Sequence, residues 1–291
     1  LYNIPEQELL AKKLCDLSFA DKVFFCNSGA EAVEGAIKVA RKFHSASGNI
    51  ERNEIITFKN SFHGRTLATL AAASNPLHTD GFNPIPDGFL NIPLDKDLLE
   101  KSITNKTAAI LVEPVQGEGG INPIPDEFLV LIRELCDESN ILMILDQVQC
   151  GMGRTGKLFS HERSGIEPDI ITLAKGLGAG FPIGAVLSSE KASMGMSHGS
   201  HGSTFGGNPV GCSIALRVLD LIEEEDILSN VNSASKLLFK ELDRLVAKHH
   251  NKISGTRGRG LMIGVECIEK NSIITDQAFK QGLLLVNASN N

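Results

Sequence analysis

Three groups of residues in this chain are of the right type and spacing to do chemistry together. Asp146 follows the apolar run Ile141–Leu145, Lys175 follows the apolar run Ile170–Ala174, and Ser28-Gly29-Ala30 opens a helical pattern directly after Val23–Cys26. A carboxylate at the end of a strand built for the interior calls for a positive partner, because an ionised group is unfavourable to bury alone. Lys175 lies 29 positions after Asp146. A lysine at such a strand end is expected to be desolvated, which lowers its pKa and raises the nucleophilicity of its amine. Taken singly, it would read equally well as a snorkelling surface lysine or as one half of a simple ion pair with Asp146. Ser28 and Glu31 fit a capping box, with helical positions from Gly29. That helix start offers free N–H groups and a positive dipole end to an anion. Taken singly, it is a well-capped helix with no ligand. It is neither a Walker loop nor a dinucleotide fingerprint.

These residues need elements to position them. Short apolar runs (Val23–Cys26, Glu54–Phe58, Ala108–Val112, Ile141–Leu145, Ile170–Leu173 and Ala185–Ser188) alternate with helical spacing such as Glu31–Phe43 and Glu127–Glu138. Buried runs alternating with helices predict an α/β fold, with a mainly parallel central sheet covered by helices on both faces. In such sheets ligands sit outside the carboxyl ends of the strands. Asp146 lies at one such end and Glu113 at another. From Asn208 the pattern changes to a long amphipathic helix with a solvated acidic end, Glu223–Asp226. A second helix follows, Ser233–Lys248, then a turn "SGTRGRG" and a strand-like "GLMIGVECIE". Residues 1–207 are therefore expected to form a large domain, and 208–291 the start of a smaller α+β domain.

The 291 residues are 42% hydrophobic and 22% charged, an ordinary globular balance, and long enough for more than one core. A net charge of −7 with no basic stripe argues against a nucleic-acid partner. Six scattered cysteines without a C-x-x-C suit reduced thiols in the cytoplasm. No apolar run reaches membrane-spanning length. The chain begins without methionine and stops in mid-pattern, as an excerpt would.

In combination, the three groups match the needs of pyridoxal 5'-phosphate (PLP). Lys175 would form a Schiff base with its aldehyde, Asp146 would pair with its pyridinium nitrogen, and the helix start would take its phosphate. The cation beside Asp146 would then come from the cofactor.

The segments "NSGAEAVE", "SFHGRTLATL", "LVEPVQGEGG", "DQVQCGMGRTG", "PDIITLAKGLGAGFPIGA" and "HGSTFGGNPVGC" occur in this order. The series, covering essentially the whole chain, resembles the class-III PLP-dependent aminotransferases of fold type I. By that resemblance Lys175 is the Schiff-base lysine and Asp146 the pyridinium partner, and Ser28, Gly29 and Ala30 form the phosphate-binding turn. Phe62 stacks on one ring face, Val148 touches the other, and Gln149 lies near the phenolic oxygen. Arg65 grips a substrate carboxylate with its planar fork. Ser203 and Thr204 reach a neighbouring subunit's site, towards substrate and cofactor phosphate respectively, which implies a homodimer. Glu118 acts as a gate, pairing with a second arginine.

"YNIPEQELLAKKL" and "ADKVFFCNSGAEA" narrow the implied donor to N-acetyl-L-ornithine at its δ-amino group, with 2-oxoglutarate as acceptor, within arginine biosynthesis. Related members using ornithine, 4-aminobutyrate or succinyl-diaminopimelate stand as alternatives, as does a non-catalytic homologue. The resemblance also exposes departures. The family has Asp-Glu where this chain has Asp146-Gln147. The gate's second arginine would lie beyond Asn291, and the family's N-terminal segment before Leu1. His198-x-x-His201 lacks a nearby Cys or carboxylate, so no metal is expected there. His63 is expected to be positional, and Cys26 and Cys150 to be small buried hydrophobes.

Overall fold

The carboxyl ends of the buried strands do converge. The computed structural model describes residues 2–73 and 75–288. In chain order its elements begin with α1 (Pro5–Asp16), β1 (Lys22–Cys26), α2 (Gly29–Ala46), β2 (Glu54–Phe58), α3 (Leu67–Ala73), α4 (Pro76–Thr79) and β3 (Phe89–Ile92). Next come α5 (Lys96–Ser102), β4 (Thr107–Val112), β5 (Val115–Gln116), β6 (Asn122–Pro123), α6 (Asp126–Ser139), β7 (Leu142–Asp146) and β8 (Ile170–Leu173). The remainder are β9 (Gly184–Ser188), α7 (Glu190–Ser193), α8 (Pro209–Glu224), α9 (Ile227–Lys248), β10 (Ile253–Arg259), β11 (Met262–Cys267) and α10 (Asn271–Lys280).

The central sheet has seven strands in the order β1-β9-β8-β7-β4-β2-β3. Only β9 runs against its neighbours; the other pairs are parallel. β1 therefore points the same way as β8, and β1, β2, β4, β7 and β8 all end on one edge. The start of β9, Gly184, joins that edge opposite Cys26.

Alternation along the strands fills both faces. Ile110, Val112, Met143, Leu145, Ile171 and Leu173 pack on one side with residues from α1, α6 and α8. Ala109, Leu111, Leu142, Ile144 and Ile170 pack on the other with the α2 stripe of Val33, Ile37, Ala40 and Phe43. With no solvent face, the strands lack polar alternation, which is why they read as continuous apolar runs.

Two expectations are corrected. "SGTRGRG" is strand β10, paired antiparallel with β11 from Thr256↔Val265 to Arg259↔Met262. Its glycines permit close approach between backbones, since a Cβ on Gly258 would lie 2.1 Å from Met262 O. The reversal falls instead at Gly260, φ +58. The helix expected from Ser233 starts at Ile227, where Val231 is buried inside the added turn. Edge strand β3 gave little signal because its burial is partial.

Leu145 and Ile144 are fully buried on opposite faces, whereas Leu90 on β3 is 40% exposed. Leu145→Ala and Ile144→Ala should each destabilise by about 2–5 kcal/mol. Leu90→Ala should stay within about 1 kcal/mol. Urea midpoints of the three variants check the two-faced packing.

Candidate active site

Asp146 is the last residue of β7 and is 3% exposed. Its Oδ1 accepts hydrogen bonds from Thr172 Oγ1 on the adjacent strand and from the Val148 amide, both at 3.1 Å. Its Oδ2 accepts from His63 Nδ1 at 2.8 Å. His63 is thus a hydrogen-bond partner that the chain itself supplies to Asp146. Burial opposes charge on His63, but the hydrogen bond and charge of Asp146, with the charge of Glu113, raise its pKa above the ordinary imidazole range. Its Nε2 is buried without a hydrogen-bond partner among the described residues.

Glu113, just past β4, was noted in the sequence only as a strand end. Its two oxygens accept from the amides of Phe62 (2.7 Å) and Gly117 (3.1 Å). It therefore ties together the loops after β2 and β5. Burial, helped by Asp146, pushes its carboxyl pKa up.

At β1 the chain turns into α2 as expected, with one difference. Ser28 Oγ accepts from the Glu31 amide at 3.2 Å, but the Glu31 carboxylate reaches back to the Asn27 amide at 2.6 Å, one residue before the cap. Gly29 and Ala30, as the first helical residues, have N–H groups with no intrahelical acceptor. A Cβ on Gly29 would lie 2.7 Å from Val148 Cγ1, so glycine lets the helix start close against the β7 loop. Gly117 does the same for Gln149, whose Oε1 occupies the place a Cβ would take, 1.4 Å away.

Lys175 follows β8 at φ +42, a left-handed conformation uncommon outside glycine. It is exposed to the cavity rather than desolvated. The strand ends at Leu173, and the glycine-rich stretch 176–180 leaves the lysine uncovered.

One cavity of about 730 Å³ is lined by Ser28, Gly29, Ala30, Phe62, Arg65, Glu118, Asp146, Val148, Gln149 and Lys175. His63, Glu113 and Arg154 line it too. Arg154 lay within a quoted motif, yet nothing in its spacing marked it. Arg65 extends over the Phe62 ring, its Cζ 5.3 Å from the centroid. Ser203 and Thr204 lie apart, in a second cavity of about 430 Å³ with Phe24 and Glu34. There Ser203 Oγ accepts from Asn27 Nδ2 at 3.0 Å. His201 stacks near Phe24 and sits 2.8 Å from Lys38 Nζ. Cys26 and Cys150 are buried, and burial pushes both thiols up to about 12.

An amine, a buried acid held by three hydrogen bonds, unsatisfied helix-start amides and two apolar surfaces around one cavity could hold a planar, phosphorylated aldehyde. The Aminotransferase class-III sequence profile matches residues 1–291. Acetylornithine aminotransferase of Brucella melitensis is 48% identical over 292 residues, covering 100% of this chain and 72% of that protein. The chain belongs to the class-III aminotransferases.

Solved structures agree with this class-III assignment. An ornithine aminotransferase from Toxoplasma gondii, described with partial occupancy of PLP at its active site, has a TM-score of 0.92 at 31% identity, covering 100% of this chain and 70% of that one. N-acetylornithine aminotransferase from Stenotrophomonas maltophilia has a TM-score of 0.84 at 38% identity, covering 100% of this chain and 73% of that one. The sheet and its surrounding helices are those of fold type I, and membership in the class implies PLP as the cofactor.

Gln147, expected from the sequence to depart from the family's usual Asp-Glu, lies behind the cavity and is fully buried. Its Oε1 accepts from the Ser160 amide at 2.6 Å, and its Nε2 lies 2.8 Å from His161 Nδ1. Burial lowers the His161 pKa to about 4, so the ring is neutral and accepts from the amide. Its side chain thus bonds Ser160 and the neutral His161, and makes no hydrogen bond to Asp146 among the described residues.

Two outcomes follow from this geometry. Gly117→Ala should fold, because a flexible side chain gives way, but it should displace Gln149 and weaken PLP binding about fivefold in an absorbance titration. The second concerns His161, whose folded pKa lies below the unfolded value, so the unfolded chain takes up the proton first. Stability should fall by ~3 kcal/mol from this group as pH drops from about 6.5 to about 4. His161→Gln should flatten that slope in urea midpoints measured against pH.

Proposed function

We propose that this chain transfers the δ-amino group of N-acetyl-L-ornithine to 2-oxoglutarate, giving N-acetyl-L-glutamate 5-semialdehyde and L-glutamate. The convergence of Lys175, Asp146 and the Ser28–Ala30 turn on one cavity carries the aminotransferase part of this proposal. The donor is supported by the printed names of the Brucella and Stenotrophomonas relatives.

PLP, when bound, supplies a ring that draws electrons from the substrate's carbon. The chain's own groups would do the rest. Lys175 would hold the cofactor through its aldehyde carbon, and its Nζ would take the proton from the donor's δ-carbon and pass it to the carbon that bore the aldehyde. Asp146 would keep the ring nitrogen protonated, with His63 and Thr172 fixing the carboxylate so that its orientation survives turnover. The amides of Gly29 and Ala30 would take the phosphate, Phe62 and Val148 the two ring faces, and Gln149 the phenolic oxygen. Arg65 would bind the donor's α-carboxylate and so present the distal amine, an effect of orientation. Glu118 would meet the substrate's other end. Ser203 and Thr204, which line a second cavity and not that of their own chain's Lys175, would serve a partner's site in a cytoplasmic homodimer with shared sites.

Full-length holoprotein mixed with N-acetyl-L-ornithine should lose the absorbance of its lysine-bound cofactor and gain that of the amine form. Lys175→Ala should lower turnover by about 10³-fold or more. Turnover of 4-aminobutyrate equal to or better than that of N-acetyl-L-ornithine would overturn the donor assignment.

A further inference from the structure

Two oppositely charged side chains on the cavity wall, Glu118 and Arg154, make no side-chain hydrogen bond or ion pair among the described residues. Their positions are therefore set by the backbone that carries them. Both stretches of backbone rest on one element, the β10–β11 hairpin.

Glu118 sits in the loop 117–121 between β5 and β6. The amides of Gly120 and Ile121 both donate to Gly117 O at 3.1 Å, closing a tight turn. Ile121 adopts φ +55 there. A β-branched residue is strained in that region and stays only where its surroundings over-determine it. The hairpin supplies much of that constraint. Arg257 Nε donates to Gly120 O at 2.7 Å, and Glu266 on the paired strand lies 3.5 Å from the same guanidinium. Gly264 lies under Ile121, where a Cβ would come 3.0 Å from the isoleucine Cβ. Ile121 packs further against Val115, Cys150 and Met262.

The reversal of the same hairpin backs onto Arg154. The Leu261 amide donates to Arg154 O at 3.0 Å, and a Cβ on Gly260 would fall 2.6 Å from that oxygen. Arg259 anchors the assembly, bonding Asp126 at 2.6 Å and Ile124 O at 2.9 Å.

We propose that the β10–β11 hairpin is a brace fixing the separation of Glu118 and Arg154, with Arg257 as the positioning residue for the Glu118 loop. Opposite charges held at a set distance can orient the parts of a substrate that Lys175 and Arg65 do not hold. Without the Arg257 bond, Ile121 can relax toward negative φ, and Glu118 moves with it. This inference rests on the Lys175 cavity being the aminotransferase site, and does not depend on which amine is the donor.

The test uses full-length holoenzyme and whichever amine the wild type turns over fastest, so a wrong donor assignment leaves it intact. Arg257→Met keeps the apolar stem and loses the donors. It should raise KM for the amine about tenfold, with kcat within about threefold and the cofactor absorbance unchanged. Added to Glu118→Gln, it should change KM by less than about twofold, because the group it positions is already gone. Ile121→Gly loosens the same turn without touching Arg257, should raise KM in the same direction, and replaces Arg257→Met in the cycle if that variant does not fold. Wild-type KM in Arg257→Met and Ile121→Gly, or effects that multiply fully with Glu118→Gln, would overturn the brace.

Discussion

Asp146 holds its place at the end of β7 because three donors meet it there: His63, Thr172 and the Val148 amide. A carboxylate this buried is tolerable only when paired and hydrogen-bonded. Each donor comes from a different piece of chain: the loop after β2, the neighbouring strand β8, and the turn that follows Asp146 itself. The acid thus fixes the order in which the strand ends must meet. Move β2 or β8 out of register and the acid loses a partner in the interior.

Around that acid, small residues decide how near the other groups come. Gly29 lets the start of α2 close on Val148, and Gly117 lets Gln149 lie across the β5 end. Glu113 joins two of these loops through backbone amides, which bind its side chain without consuming any cavity-facing group. Lys175 pays in backbone conformation for its place beyond β8. The result is a rigid wall with one exposed amine, the arrangement preorganised chemistry needs, since orientation is then settled before a substrate arrives.

Much of the sheet was legible because β4, β7 and β8 are buried on both faces and show as unbroken apolar runs. Asp146 and Lys175 stood out against those runs as charges where none belonged. The β10 strand was misread because its two glycines, with Gly260 just beyond them, resemble a turn, while Gly258 serves close approach to β11. His63 was visible in the sequence but not as Asp146's partner, since the two lie 83 positions apart. Glu113 was legible as a strand end but not as a tie between loops, and Arg154 carried no spacing signal, because what brings both to the cavity is the convergence of loops.

The sequence by itself determined the buried central strands, the helix cap at Ser28 and the presence of a strand-end acid and a strand-end amine. Those are local properties, fixed by hydrophobic periodicity and by side-chain chemistry within a few residues. Only the tertiary structure decided that His63 is the acid's hydrogen-bond partner, that the Gln147 side chain bonds Ser160 and His161, and that a distant hairpin underlies two charges of the cavity wall. These depend on contacts between segments far apart in the chain, and no local pattern of residues encodes which loop will stand opposite another once the sheet has formed.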